Sequence, residues 1–137
     1  MFAVMDGHGS NEVAEFVRDT FPVYLKESEA FKSKDYEKAL TEACVKVDDF
    51  LRSPEGIPTL LKYTNAYSAS KELPQKIRNN SLNEEVGCTA CIVLITQDRM
   101  ICANLGDSRC VLGYEEGEKI VAKPLSTDHK PNLPSEK

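Results

Sequence analysis

The sequence has no excess of positive charge: 17 Lys and Arg stand against 22 Asp and Glu, a formal charge of −5. Without a basic stripe nothing displaces counterions from a phosphate backbone, so a nucleic-acid partner is not expected. No apolar run approaches the roughly 20 residues of a membrane-spanning helix, and the start lacks the basic and long apolar segments of a signal peptide. The chain therefore reads as intracellular, cytoplasmic or nuclear, with no membrane partner. Internal repeats and low-complexity tracts are also missing. So is a disulfide framework, because the five cysteines (Cys44, Cys88, Cys91, Cys102, Cys110) are odd in number and irregularly spaced. Cys88-x-x-Cys91 has no second CxxC, and His8 and His129 are far from it in sequence. It lies in a β-rich run, where residues three apart point to opposite faces, and small buried apolar residues are the better reading.

What is present fits one globular domain or a piece of one: 137 residues, 41% hydrophobic and 28% charged. Over 10–52 the pattern is helical. Val13, Ala14, Phe16, Val17, Phe21, Tyr24 and Leu25 recur at three- and four-residue steps, with Glu12, Glu15, Arg18 and Asp19 between them. Ser10 or Asn11 is the expected N-cap, and Pro22 is expected to kink or divide the helix. A second helix is expected over 35–51, with Tyr36, Ala39, Leu40, Ala43, Cys44, Val47 and Phe50 on one face. Residues 53–85 are punctuated by Pro54, Gly56, Pro58 and Pro74, with one short helix expected over 59–63 and an exposed, mobile loop over 79–85. From residue 86 the period changes to two. Strands are expected over 88–96, 99–105, 108–113 and 119–123, with turns at Gln97-Asp98, Gly106-Asp107 and 115–117. Helices followed by an antiparallel meander over 86–123 make an α+β chain.

The chemistry concentrates at the start, where an apolar run ends in Asp6-Gly7-His8-Gly9 and a helical pattern follows at once. A carboxylate at a strand end offers hard oxygens to Mg²⁺ or Mn²⁺, and Gly7 lets the chain turn and present its own carbonyl. His8 is placed to give a proton to a leaving group. The helix start behind Gly9 alternatively suits an anion. Asp107, in Asn104-Leu-Gly-Asp-Ser-Arg109, is a second carboxylate at a turn, which Ser108 and Arg109 are placed to hold; Asp128-His129-Lys130-Pro131 is a third polar cluster. Taken singly, each of these clusters also admits a plain turn reading.

Their order along the chain adds to this. Phe2-x-Val4-x-Asp6-Gly-His-Gly9, Gly87-Cys-Thr-Ala90, Ala103-Asn-Leu-Gly-Asp-Ser-Arg109 and Leu125-Ser-Thr-Asp-His-Lys-Pro131 follow one another at sensible spacings. Together they resemble the metal-dependent protein serine/threonine phosphatases of the 2C type, the PPM family, over most of the chain apart from 53–85. The resemblance implies an α/β/β/α sandwich of two antiparallel sheets with flanking helices, here partial, and a single incomplete domain over 1–137. It implies two Mg²⁺ or Mn²⁺ ions, with Asp6 bridging them, the Gly7 carbonyl on one, and Asp107 helping to hold a further ion. It implies His8 as general acid in the hydrolysis of a phosphoserine or phosphothreonine protein. Gly87, Thr89, Ala90, Asp128 and Lys130 take structural roles on the same grounds.

The family pattern also includes an arginine and an acid upstream of the Asp6 strand and two aspartates downstream, none of which this chain contains. The expectation is that the chain alone binds metal weakly, has little or no phosphatase activity, and self-associates or leans on a protein partner that covers its open sandwich. The alternative is a non-catalytic relic that keeps the fold for binding.

Overall fold

The computed structural model describes residues 1–63 and 86–136, so the loop expected over 79–85 lies outside the described residues. The chain divides into two compact units, Gly7–Cys88 and Met1–Asp6 with Thr89–Lys137. No helix among the described residues is long and apolar enough to cross a membrane.

The Gly7–Cys88 unit is built on three helices, α1 (Glu12–Glu27), α2 (Glu29–Lys32) and α3 (Tyr36–Arg52), followed by the short α4 (Gly56–Leu60) and a 3-10 turn over Leu61–Tyr63. The apolar rhythm of α1 buries Val13, Phe16, Val17, Phe21 and Leu25 on one face. Glu12, expected among the polar positions, is only 1% exposed. Asn11 takes the N-cap position but its side chain makes no cap bond, so the acidic Glu12 and Glu15 in the first turn are what complement the helix dipole. Pro22 does not divide α1, which runs on to Glu27. The break comes at Ser28, whose backbone turns extended (ψ 143°) and whose Oγ accepts the Phe31 N–H at 3.1 Å to start α2. A hydroxyl able to cap the next segment decides the boundary here, not the proline.

Lys34 sits at φ +65°, the left-handed residue closing α2, and Asp35 then caps α3 by accepting the Lys38 N–H. Ala39, Leu40, Ala43 and Val47 are buried along α3. Phe16 stacks on Phe50 with centroids 5.3 Å apart, and Tyr63 meets Phe16 edge-on at 5.9 Å. Each large apolar side chain withdrawn from water contributes about 1.5–3 kcal/mol, and in this cluster Phe16 is the one fully buried. The short helix expected over 59–63 begins three residues earlier, at Gly56. Its backbone lies against Leu51: a Cβ on Gly56 would run into the Leu51 carbonyl oxygen. Two short strands, β2 (Gly7–His8) and β3 (Gly87–Cys88), pair antiparallel in this unit.

The second unit holds β1 (Phe2–Val4), β4 (Ala90–Ile95), β5 (Met100–Leu105), β6 (Val111–Glu116) and β7 (Lys119–Pro124). The order β1-β4-β5 makes a three-stranded antiparallel sheet, with Ala3 opposite Ile92 and Cys91 opposite Asn104. Ala90, Cys91, Ile92 and Leu94 form its buried centre. The hairpin expected between β4 and β5 is present: Thr96 N–H donates to the Arg99 carbonyl at 2.9 Å across Gln97-Asp98. The strand expected over 88–96 is interrupted at Thr89, which leaves the ladder to bond elsewhere. The continuous meander is also corrected, because among the described residues β6 and β7 pair only with each other. The third strand begins at Val111, since residues 108–110 are tied to other partners, and it runs on through Glu116. Its turn is the two-residue Gly117-Glu118, with Gly117 at φ +64°, the left-handed start that a tight hairpin demands. Helices with antiparallel sheets make the chain α+β, as its sequence pattern implied.

Candidate functional site

At the end of β1 the chain leaves the sheet at Met5, and Asp6 is held by its backbone alone. Its N–H donates to Thr89 Oγ1 at 3.1 Å, and its carbonyl accepts the Thr89 N–H at 2.9 Å. The side chain is exposed, and no described residue donates to its carboxylate. The main chain is thus held by two hydrogen bonds while the carboxylate is exposed.

Asp107 is presented in a similar way. Gly106, at φ +91°, makes a bend that L side chains rarely adopt. Its carbonyl accepts both the Asn104 amide at 3.1 Å and the His129 N–H at 3.0 Å. Asn104 also donates to the Thr127 carbonyl at 2.9 Å, tying the 104–109 turn to the 125–131 segment. Ser108 Oγ lies 2.7 Å from Thr89 Oγ1. Asp107 itself is exposed at the tip. Arg109, expected to brace this turn, instead forks onto Asp128 at 2.8 and 2.7 Å, and Lys130 adds a third contact at 3.0 Å. Those hydrogen bonds, Arg109 first, hold the Asp128 carboxyl well below the usual carboxylate range. Asp128 is therefore spent on holding its own segment, and the plain turn reading gives way to an ion-paired brace.

Gly7 and His8 belong to the other unit, where β2 and β3 set them. A Cβ on Gly7 would come within 2.9 Å of the Ser10 carbonyl, and Gly9 sits at φ +71°, so both glycines are required by the tight entry into α1. His8 is exposed, and its ring lies over Gly87: a Cβ there would meet Nε2 at 2.8 Å. The glycine opposite leaves the imidazole room beside the β3 backbone.

All five cysteines are free, Cys91 is buried and the other four half-buried. Burial pushes the Cys88 thiol up to about 11 and, with help from Cys91 and Cys110 nearby, Cys102 to about 12, so both stay protonated and unreactive near neutrality.

Asp6 and Asp107 supply oxygen donors of the kind that hard divalent cations prefer, and neither is consumed by the protein. That is a fit, though an open one. Among the described residues no three His, Cys, Asp or Glu side chains converge to hold a metal ion. The residue that sequence reasoning undervalued is Thr89, read only as structural. A hydroxyl in the middle of an apolar, β-branched run was the available signal.

The chain matches the family model described as protein phosphatase 2C over residues 1–137. It is 37% identical over 137 residues to "Protein phosphatase 2C 1" of Paramecium tetraurelia, covering 100% of this chain and 40% of that protein. It is 38% identical over 136 residues to "Protein phosphatase 2C homolog 2" of Hypocrea jecorina (strain QM6a), covering 99% of this chain and 25% of that one. The chain thus spans well under half the length of these relatives. Matched by the family model from its first residue to its last, the chain belongs to the protein phosphatase 2C family.

Proposed function

We propose that Asp6, Gly7, His8 and Asp107 are part of the active centre of a metal-dependent protein serine/threonine phosphatase, and that residues 1–137 form part of one such domain. The observation that carries this reading is Asp6, whose amide and carbonyl are both committed to Thr89 while its carboxylate takes no bond from a described residue. Family membership supplies the reaction class, and the relatives' names give the non-catalytic alternative no support. Mg²⁺ or Mn²⁺ would be held by the Asp6 carboxylate and the Gly7 carbonyl, with Asp107 in an outer place. When bound, such ions lower the pKa of water and neutralise charge on phosphate oxygens.

This chain's own residues do the rest. Two hydrogen bonds to Thr89 hold the Asp6 main chain, which sets where its carboxylate leaves the backbone. His8, exposed at β2 beside the helix entry, donates a proton to the departing seryl or threonyl oxygen. An alkoxide is a poor leaving group and needs that proton, whereas a nitrophenolate does not.

The test is hydrolysis of a phosphoserine peptide and of para-nitrophenyl phosphate by the purified chain, with and without Mn²⁺. Turnover is expected to be slow, to require Mn²⁺, and to disappear in Asp6→Asn. His8→Gln is expected to lower peptide turnover by about 10²-fold or more while sparing the aryl ester, the range set by general acid catalysis. Hydrolysis that persists without metal, or that survives in Asp6→Asn, overturns the assignment.

A further inference from the structure

The geometry points to Thr89 as the positioning residue of this centre: it staples the end of β1, which carries Asp6, to the turn that carries Asp107. The inference rests on the reading of Asp6 as a metal ligand and adds what aims it.

Thr89 commits its N–H, its hydroxyl and its methyl. Its N–H donates to the Asp6 carbonyl at 2.9 Å, and its Oγ1 accepts the Asp6 N–H at 3.1 Å. The same Oγ1 lies 2.7 Å from Ser108 Oγ, the residue after Asp107. Its methyl is pressed against the turn from the other side, since a Cβ on Gly106 would lie 2.8 Å from Thr89 Cγ2. The chain breaks the β3–β4 run at Thr89 to achieve this, giving up a place in the ladder between Cys88 and Ala90. A hydroxyl has one proton and two lone pairs, so a single threonine can accept from Asp6 and still bond Ser108. No apolar residue of the same shape can do so. The bridge thus ties the backbone that carries Asp6 to the residue that follows Asp107.

Conservative variants separate the bonds from the packing. Thr89→Ser keeps the hydroxyl and loses the methyl; Thr89→Val keeps the shape and loses the hydroxyl. Mn²⁺ binding by the 137-residue chain is read by electron paramagnetic resonance of free Mn²⁺, beside thermal melts of each variant. Thr89→Val is expected to weaken Mn²⁺ binding by about 10- to 100-fold, the usual effect of removing a partner that orients a metal ligand. Thr89→Ser is expected to restore most of it, and Asp6→Asn to abolish it.

Should Thr89→Val not fold, Ser108→Ala carries the test. It cuts the far end of the bridge and leaves both Asp6 bonds in place, and a several-fold loss of Mn²⁺ affinity is expected. Wild-type affinity in Thr89→Val, or in Ser108→Ala where that variant stands in, overturns the positioning role provided Asp6→Asn no longer binds. Mn²⁺ binding that Asp6→Asn leaves unchanged, or no binding by the wild type, overturns the metal reading of Asp6 and the positioning role with it.

Discussion

Gly106 shows how narrowly a single position is constrained. It sits at φ +91°, and its missing Cβ leaves the space that the Thr89 methyl fills at 2.8 Å. Gly106→Ala therefore faces backbone strain and a steric clash at once. The expected loss is about 1–3 kcal/mol from strain alone, read as a lower urea midpoint with an unchanged slope. The Arg109–Asp128 fork makes a second residue-level prediction, with a definite sign. Asp128 titrates lower in the folded chain than in the unfolded one, so its stabilisation is present above about pH 4 and is lost as pH falls further. Arg109→Met should raise the folded value, so the stability gap between variant and wild type narrows between about pH 4 and pH 2. A gap that stays constant in urea melts over that range would refute the linkage. These residues were only half legible in sequence. Asp6, Gly7, His8 and Asp107 stand out because acids and glycines at strand ends are poor core material, whereas the partner chosen by Arg109 depends on a contact 19 residues away.

Among the elements, α3 was readable because three local signals agree: a capping Asp35, an apolar stripe and a basic last turn. The end of α1 was not, because Pro22 and Ser28 compete and tertiary packing favours continuing to Glu27. Proline inside a helix still removes a backbone bond, a cost of about 3 kcal/mol in an exposed host. Pro22→Ala is expected to stabilise the chain by about 1 kcal/mol or more, seen as a raised thermal midpoint. A lowered midpoint would mean the ring's packing outweighs the missing bond. The strand pattern over 108–113 misled for a related reason. Alternation records which side chains are apolar, but ladder pairing depends on free N–H groups, and Cys110 N–H is already given to Ser126 at 2.8 Å. Thr89 hides in the same way, since a threonine in a β-branched run reads as strand whether or not it pairs.

For the whole chain, the outstanding property is apolar surface left in water on the strand elements. Phe2 is 70% exposed, Val4 61% and Ile120 83%, while the β1 edge has no pairing partner among the described residues. Edges and patches of this kind seek cover, from a second copy or from another protein. Sedimentation velocity of the purified chain is expected to show concentration-dependent association. A variant with Phe2→Lys and Ile120→Lys should shift it toward monomer. Monomeric wild-type chain across that range would contradict the expectation. The overall class could be read from the change of period at residue 86, but the partition into separate sheets could not, because it is set by which edges meet in space.

The lacing at the foot of the β6–β7 ribbon has one more consequence. Leu125 N–H bonds the Cys110 carbonyl, Cys110 N–H bonds Ser126, and the Arg109 fork closes on Asp128. Everything from 111 to 124 thus hangs outside a tied-off loop, like a pennant beyond a knot. Closing a longer loop costs only about 0.6 kcal/mol per doubling of its length. The ribbon is therefore free to grow or shrink at Gly117-Glu118 without tugging on the Asp107 turn, which makes its tip a natural place for length variation and for attaching a label.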